Sequence, residues 1–205
     1  PKAVKGLKLG ILKNVAMENV VDLPKKAFES AVDKLKEAGA SISEIFVSSV
    51  DEAMDLTGLL YSPEAYATWK HKIEKTPDLM FTKILERFRS GANVLASDFI
   101  CAWDKLMDLR QQYHSVVKMY DAVLIPTSPI IPPELDRLMN DGDFYNSQNL
   151  LALRNTRIGN LMGGCSITLP TDIPSCGLLI MGMPSQEERL LRLAQACELV
   201  LSRNQ

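Results

Sequence analysis

The polar residues best suited to bind a small ligand are concentrated in residues 155–170. This segment begins with helical spacing, breaks at Gly163 and Gly164, and continues as an alternating polar and apolar strand that ends in proline. Glycines at such a junction permit a positive φ or a close approach of two backbones. The pattern predicts that Thr156, Asn160 and the backbone N–H groups of the two glycines surround a small ligand. The alternative is a glycine turn whose polar residues only cap the helix and the strand.

A second group of polar residues follows a short apolar run. Residues 122–125 are typical of a buried strand, and Thr127 and Ser128 come directly afterwards, between prolines. Ligands of α/β proteins bind beyond the carboxyl ends of strands. Thr127 and Ser128 are therefore predicted to form a second wall of the site. The alternative is a stiff connector that contacts no ligand.

No nucleophile with a nearby base is recognisable in the sequence. Ser128, Cys165 and Ser166 lie in turns, but no lysine or histidine is close to them in sequence, and a serine needs such a neighbour to become a nucleophile. His71 and His114 lie in helical stretches among charged or polar residues, which predicts surface positions for both. Phosphate loops, dinucleotide motifs and clustered metal ligands are also missing, so neither a cofactor nor a metal is expected.

Composition and charge narrow the class of protein. The 205 residues are 46% hydrophobic and carry a net charge of −2 with both signs interspersed, which fits one globular domain and gives no support for nucleic acid binding. The four cysteines form no closely spaced pair, so no disulfide framework or zinc site is predicted. No apolar run approaches the ~18 residues that span a bilayer. We therefore expect a soluble, cytoplasmic protein without a membrane partner.

The elements that position the candidate residues follow from hydrophobic periodicity. Strand-like runs and amphipathic helices predict an α/β fold, in which a mixed sheet is flanked by helices on both faces. Between residues 50 and 120 the pattern is almost entirely helical, and Pro63 and Pro77 are expected to divide it into separate helices. Ser185 and Glu188 have the spacing of a capping box at the start of the last helix. The predicted strands are residues 7–12, 42–47, 123–125, 166–169 and 178–183.

Several segments, read together, resemble the C-terminal half of the amidase signature family. Their order and spacing carry the resemblance, and no single motif does so alone. The opening residues 5–11 and the helix with Ser97, Asp98 and Arg110 are also similar, so the resemblance covers almost the whole chain. The matching segments are residues 120–129, 155–156, 160–164, 167–170 and 177–182.

The resemblance implies a hydrolase of small carboxylic amides of which this chain is only a part. The family's nucleophilic serine, its second serine and its lysine base lie in an N-terminal half that has no counterpart here. We therefore expect no catalytic residue in residues 1–205. The transamidation subunits of the family carry an acidic residue three positions before the threonine that matches Thr156. Leu153 occupies that position in this chain, which favours a small-amide hydrolase.

The resemblance also assigns a role to this chain, which is one flank of the sheet and part of the substrate pocket. Residues 1–205 are then the C-terminal portion of an amidase domain, a fragment that pairs with its N-terminal half or with a second copy. The alternative is a non-catalytic α/β binding or structural domain derived from the same scaffold. The implied substrate-binding residues are Thr127, Ser128, Thr156, Asn160, Gly163 and Gly164.

Overall fold

Residues 3–202, which are those that the computed structural model describes, form one mixed sheet of five strands. These are β1 (Lys8–Leu12), β2 (Ser41–Ile45), β3 (Ala122–Pro126), β4 (Cys165–Pro170) and β5 (Gly177–Gly182). The order across the sheet is β2-β1-β3-β5-β4, with β1 parallel to β2 and β3, and β5 antiparallel to β3 and β4. Each strand overlaps one of the predicted segments, so the predicted mixed sheet is confirmed.

Helices cover both faces of this sheet and bury two hydrophobic clusters against it. One cluster joins α1 and α9 to the sheet through residues such as Phe28, Leu124 and Leu193. The other joins α2, α3, α5 and α8 to the opposite face and includes Leu106 and Ile158. The helices are α1 (Asp22–Glu37), α2 (Ser48–Asp55), α3 (Thr57–Ile73), α4 (Thr82–Ser90), α5 (Ala96–Val117), α6 (Leu135–Asn140), α7 (Gly142–Ala152), α8 (Arg154–Met162) and α9 (Glu187–Leu201).

The unit β1-α1-β2 shows how the sequence produces this layered arrangement. The apolar residues of α1 recur at helical spacing, so Phe28, Val32 and Leu35 all face the sheet and are buried. Gly39 follows the end of α1 with a φ of 96°, a conformation that favours glycine. The chain then enters β2 directly, in parallel register with β1. β1 and β2 are thus two parallel strands joined by a helix.

Pro63 does not divide the helical region as predicted. It lies inside α3, which continues unbroken from Thr57 to Ile73. A proline in a helix removes one backbone hydrogen bond, so packing must hold the segment helical. This packing comes from a close contact between the backbones of α3 and Gly91. A Cβ added at Gly91 would be only 2.1 Å from the Ser62 carbonyl oxygen. Pro77, by contrast, does lie outside the helices on either side of it.

The predicted capping box of Ser185 and Glu188 does not form. Helix α9 begins at Glu187, its N-cap is Gln186, and no side chain there caps the helix by accepting a hydrogen bond from its backbone. Ser185 instead takes a positive φ of 58° in the turn that leaves β5. Because this turn must reverse the chain before the helix starts, the serine lies one position too early to cap it.

The part of the chain from residue 3 to residue 202 contains no helix that is both long enough and apolar enough to cross a membrane. The 22 residues of α5 would have the length, but the helix carries charged residues, which include Asp98, Lys105 and Asp108.

Candidate functional site

The first turn of α8 is fixed by a buried asparagine at the carboxyl ends of two strands. Asn155 is fully buried, and its side-chain nitrogen donates hydrogen bonds to the Ala16 carbonyl at 3.0 Å and to the Pro126 carbonyl at 2.7 Å. Ala16 follows β1, and Pro126 is the last residue of β3. One side chain therefore holds α8 against the ends of both parallel strands.

Arg154 lies beside this asparagine and is also buried, with 8% of its surface exposed. Its Nε donates to the Asn155 side-chain oxygen at 3.1 Å, which completes the hydrogen bonding of that amide. Burial lowers the pKa of Arg154 from its ordinary value, and the negative charge of Glu18 acts in the opposite direction. The pair therefore forms a rigid polar anchor under the start of α8.

A cavity of about 420 Å³ opens between α3, α4, α7 and α8. Its wall combines apolar side chains with hydroxyl, amide and guanidinium groups, which is the mixture typical of a small-molecule site. The lining residues are Thr57, Gly58, Tyr61, Ser62, Arg87, Leu150, Leu153, Thr156, Arg157 and Asn160.

Two of the predicted ligand residues, Thr156 and Asn160, line this cavity together. They are four residues apart on α8, so they lie on the same face of the helix. The Thr156 hydroxyl also donates to the Leu153 carbonyl at 3.2 Å, which leaves its lone pairs available. Asn160 is exposed. Their predicted role in ligand binding stays a prediction.

Thr127 and Ser128 lie past the end of β3, outside the lining of that cavity. The Thr127 hydroxyl donates to the Thr168 hydroxyl at 3.2 Å, over Gly177. Only glycine fits there, because a Cβ at Gly177 would be 2.6 Å from the Thr168 methyl group and 2.7 Å from the Thr127 hydroxyl. Ser128 accepts from the Ile130 backbone at 3.3 Å and donates back at 3.0 Å, which closes a local turn.

Gly163 and Gly164 lie at the opposite end of α8 from Thr156. A helix rises about 1.5 Å per residue, which places them about 10 Å from Thr156 along the axis. Gly163 ends the helix with a φ of 69°. Gly164 passes so close to Gly182 that a Cβ would be 2.5 Å from its carbonyl oxygen. Both glycines therefore have a structural reason for being glycine.

Side chains from α5 satisfy the last carbonyl groups of α8. The Arg110 Nε donates to the Leu161 carbonyl at 2.6 Å, and a nitrogen of the His114 ring lies 3.0 Å from the Met162 carbonyl oxygen. A cation near a helix C-terminus is favourable. His114 is thus partly buried and packed, whereas His71 is exposed as predicted.

The candidate nucleophiles have no base beside them. Within residues 3–202, the hydrogen bonds of Ser128 and Cys165 go to backbone groups, the latter to the Met183 carbonyl at 3.2 Å. Ser166 is an exposed residue of β4. No group of three or more histidine, cysteine, aspartate or glutamate residues in the described part of the chain could hold a metal ion.

Sequence reasoning missed the charged residues of the cavity. Arg87 and Arg157 are half-buried there, and Tyr61, which is 37% exposed, also lines the cavity. Burial lowers the pKa of Arg157 and raises that of Tyr61. These residues come from α4, α8 and α3, so no local spacing joins them. The only feature of the sequence that could have indicated these charged residues was Arg157, because it directly follows the predicted ligand residue Thr156.

The fold and the family comparison agree. The model of the amidase family, described as "Amidase", matches residues 1–191. This chain belongs to the amidase family.

Characterised relatives are similar at a moderate level. The 2-amino-5-chloromuconic acid deaminase of Comamonas testosteroni is 27% identical over 98% of this chain and 45% of its own length. An amidase of Pseudomonas putida is 27% identical over 96% of this chain and 43% of its own length. The chain therefore spans less than half the length of these relatives.

Solved structures show the same fold at lower identity. The allophanate hydrolase of Kluyveromyces lactis superposes with a TM-score of 0.82 and 20% identity, over 100% of this chain and 33% of its own. This likeness concerns the fold alone.

Proposed function

We propose that residues 1–205 form the C-terminal portion of an amidase-family hydrolase that cleaves the carbon–nitrogen bond of a small carboxylic amide. The observation that carries the proposal is the match of the family model to residues 1–191. The cavity between α3, α4, α7 and α8, which has polar groups in its wall, is consistent with it. In this proposal the nucleophilic serine, the second serine and the lysine base lie in the remainder of the protein.

The proposed contribution of this chain is one wall of the acyl-side pocket. Thr156 and Asn160 offer hydroxyl and carboxamide groups to the substrate from one face of α8. Thr127 and Ser128 form a second wall beyond β3, on the side of the sheet where Asn155 anchors α8. Gly163 and Gly164 act in this proposal by fixing where α8 ends and β4 begins. Such positioning matters because catalysis is sensitive to small displacements of binding groups.

The remainder of the protein is proposed to dock along the free edge of β4. Within residues 3–202 this strand pairs with β5 alone, and it carries no charged side chain. The other edge strand, β2, carries Glu44, which pairs with Lys13 at 3.1 Å. Charged side chains protect sheet edges from unwanted pairing. Hence β4 is the edge suited to accept another strand, from the N-terminal half or, when that is missing, from a second copy.

The proposed compartment is the cytoplasm, and neither nucleic acid nor a membrane is a proposed partner. The net charge of −2 offers no basic surface, and all four cysteines are free thiols. Free thiols are typical of proteins in a reducing compartment.

The intact mass of the natural protein in its source cells tests the proposal, together with the coding sequence upstream of residue 1. A mass near twice 22.8 kDa, with an upstream segment rich in glycine and serine and preceded by a lysine, is the expected result. A natural protein of 22.8 kDa without such a segment on any partner chain would favour the non-catalytic alternative.

A further inference from the structure

A segment without buried residues lies along one side of the cavity between α3, α4, α7 and α8. Ile130 is buried just before this segment, and Arg154 and Asn155 are buried directly after it. Between these anchors none of residues 131–153, which include α6 and α7, is buried. Elements with few buried apolar contacts have low local stability, and the moving parts of proteins are drawn from them.

This segment is held together by contacts of its own. The Cζ atom of Arg137 in α6 lies 3.8 Å from the centre of the Phe144 ring in α7. Asp141, between the two helices, accepts a hydrogen bond from the Phe144 backbone at 2.9 Å and thereby caps α7. Helices α6 and α7 therefore form one small rigid body.

Two side-chain contacts connect this rigid body to α4 and to Phe81, the residue before it. The Arg87 Nη1 donates to the Asn149 side-chain oxygen at 2.6 Å. The rings of Phe81 and Tyr145 meet edge to face, with their centres 5.3 Å apart. Within residues 3–202, the bond to Asn149 is the one side-chain hydrogen bond that joins the segment to an element other than α8.

Both ends of the segment have the character of hinges. Leu153 is at once the residue after α7 and the residue before α8. Rotation about its backbone would turn α7 while the buried Asn155 keeps α8 in place. At the other end, residues 131–134 belong to no helix or strand. Hinges are typically such loop or element-terminal positions.

The segment also presents apolar side chains to the cavity. Leu150 and Leu153 belong to the lining, and they are still 49% and 47% exposed. Water therefore contacts apolar surface at the mouth of the cavity. A ligand beneath these leucines would remove that surface from water, which favours a closed position of the segment when the cavity is occupied.

We propose that residues 131–153 form a lid over the cavity, latched shut by the contacts of Asn149 and Tyr145 with α4 and Phe81. Opening of the lid admits a ligand, and closure over the bound ligand separates it from water. The inference rests on the proposed function only in taking that ligand to be the substrate. The movement itself follows from burial and contacts alone.

Labelling of a thiol inside the cavity with reagents of two sizes tests the lid on the 205-residue chain. Ser62 lines the cavity, so Ser62→Cys places a thiol there with little change in side-chain size. Iodoacetamide is small enough to pass the closed lid, whereas N-(1-pyrenyl)maleimide needs an open one. The ratio of the maleimide rate to the iodoacetamide rate is expected to be much lower at residue 62 than at the exposed Cys101. Equal ratios, read by peptide mass spectrometry, would overturn the proposal.

Substitution of Asn149 assigns the effect to the latch. Asn149→Ala is expected to raise the maleimide rate at residue 62 about tenfold, because a hydrogen bond to a charged group is lost. The iodoacetamide rate should not change. Asn146→Ala is the matched control, since Asn146 is an exposed residue of the same helix. If the two alanine variants react with the maleimide equally, the latch does not exist.

Cys197 reports in the same molecules whether the whole protein unfolds, because its side chain is fully buried. Its labelling is expected to be the same in all variants. A rise at Cys197 in parallel with residue 62 would mean that Asn149→Ala opens the entire fold, and the lid would be wrong.

Two outcomes separate the lid from the proposed function, since labelling requires no turnover. If the complete protein hydrolyses amides and both alanine variants label equally, the amidase function stands and the lid is wrong. If Asn149→Ala alone opens the cavity while the complete protein hydrolyses no amide, the lid stands and the proposed function is wrong.

Discussion

The side-chain nitrogen of Asn155 lies 2.7 Å from the carbonyl oxygen of Pro126 and ties the first turn of α8 to the end of β3. The same nitrogen reaches the Ala16 carbonyl after β1. The position of α8, and with it the cavity wall formed by Thr156 and Asn160, thus depends on one buried amide.

Replacing Asn155 by alanine is expected to lower the free energy of unfolding by about 2 to 4 kcal/mol, because buried carbonyls lose their donor. For a chain of this size the melting temperature falls about 2 to 4 °C per kcal/mol. Asn160→Ala is the control, since Asn160 is exposed on the same helix, and it should change stability by less than about 0.5 kcal/mol. Equal melting temperatures for the two variants would contradict the anchoring role.

Gly164→Ala is expected to destabilise the protein by about 1 to 3 kcal/mol, as overpacking does. The added methyl group would meet the Gly182 carbonyl oxygen at 2.5 Å, a contact with backbone that cannot easily move. Gly58 in α3 has nothing within 4 Å of the corresponding position. Gly58→Ala should therefore raise stability by up to about 1 kcal/mol, since alanine favours helices. Chemical denaturation measures both changes, and a neutral Gly164 variant would show that β4 can shift away from β5.

The cysteines are expected to differ sharply in reactivity. Burial raises the pKa of the Cys197 thiol to about 12, and Cys101 is exposed. The thiolate is the nucleophile, and at pH 8 a pKa of about 12 leaves about one Cys197 thiol in ten thousand ionised. Alkylation with iodoacetamide, followed by peptide mass spectrometry, should label Cys101 first and Cys197 only in urea. Labelling of Cys197 at a similar rate in the folded protein would mean that α9 opens readily.

Association is expected to depend on the edge of β4. The isolated chain should form dimers or larger species at modest concentration, because an unprotected strand edge pairs readily. Ser166→Lys adds a charge to that edge and should shift the population towards monomer. Ser41→Lys makes the same change on the opposite edge strand, β2, and should have little effect. Sedimentation velocity over a dilution series distinguishes these outcomes, and a strictly monomeric wild-type chain would count against a missing partner.

The sequence predicted the sheet because each strand is an apolar or alternating run bounded by a turn. β3 and β5 are buried on both faces and read as continuous apolar segments. The prediction for Pro63 was wrong because local propensity disfavours proline inside a helix, whereas the contact between α3 and Gly91 holds this segment helical. Ser185 was misjudged because a capping pattern carries no information on where the turn after β5 ends.

The cavity could be predicted only in part. Thr156 and Asn160 belong to one helix, so their spacing revealed a shared face. Arg87 and Arg157 are seventy positions apart in sequence, and an arginine in an amphipathic helix is typical of a solvated face. Their proximity depends on the packing of α3 against α4 and of α7 against α8, which no local pattern encodes.

Amide hydrolysis, measured for this chain alone and for the chain expressed together with the protein segment encoded upstream of it, tests the central claim most directly. The chain alone should show no turnover of simple amides, since the loss of a nucleophile and its base costs several powers of ten in rate. The combined protein should hydrolyse amides. Ser128→Ala and Ser166→Ala should not abolish this activity, because neither serine is the proposed nucleophile. Turnover by the pure chain that disappears on either substitution would contradict the account and place the active site in residues 1–205.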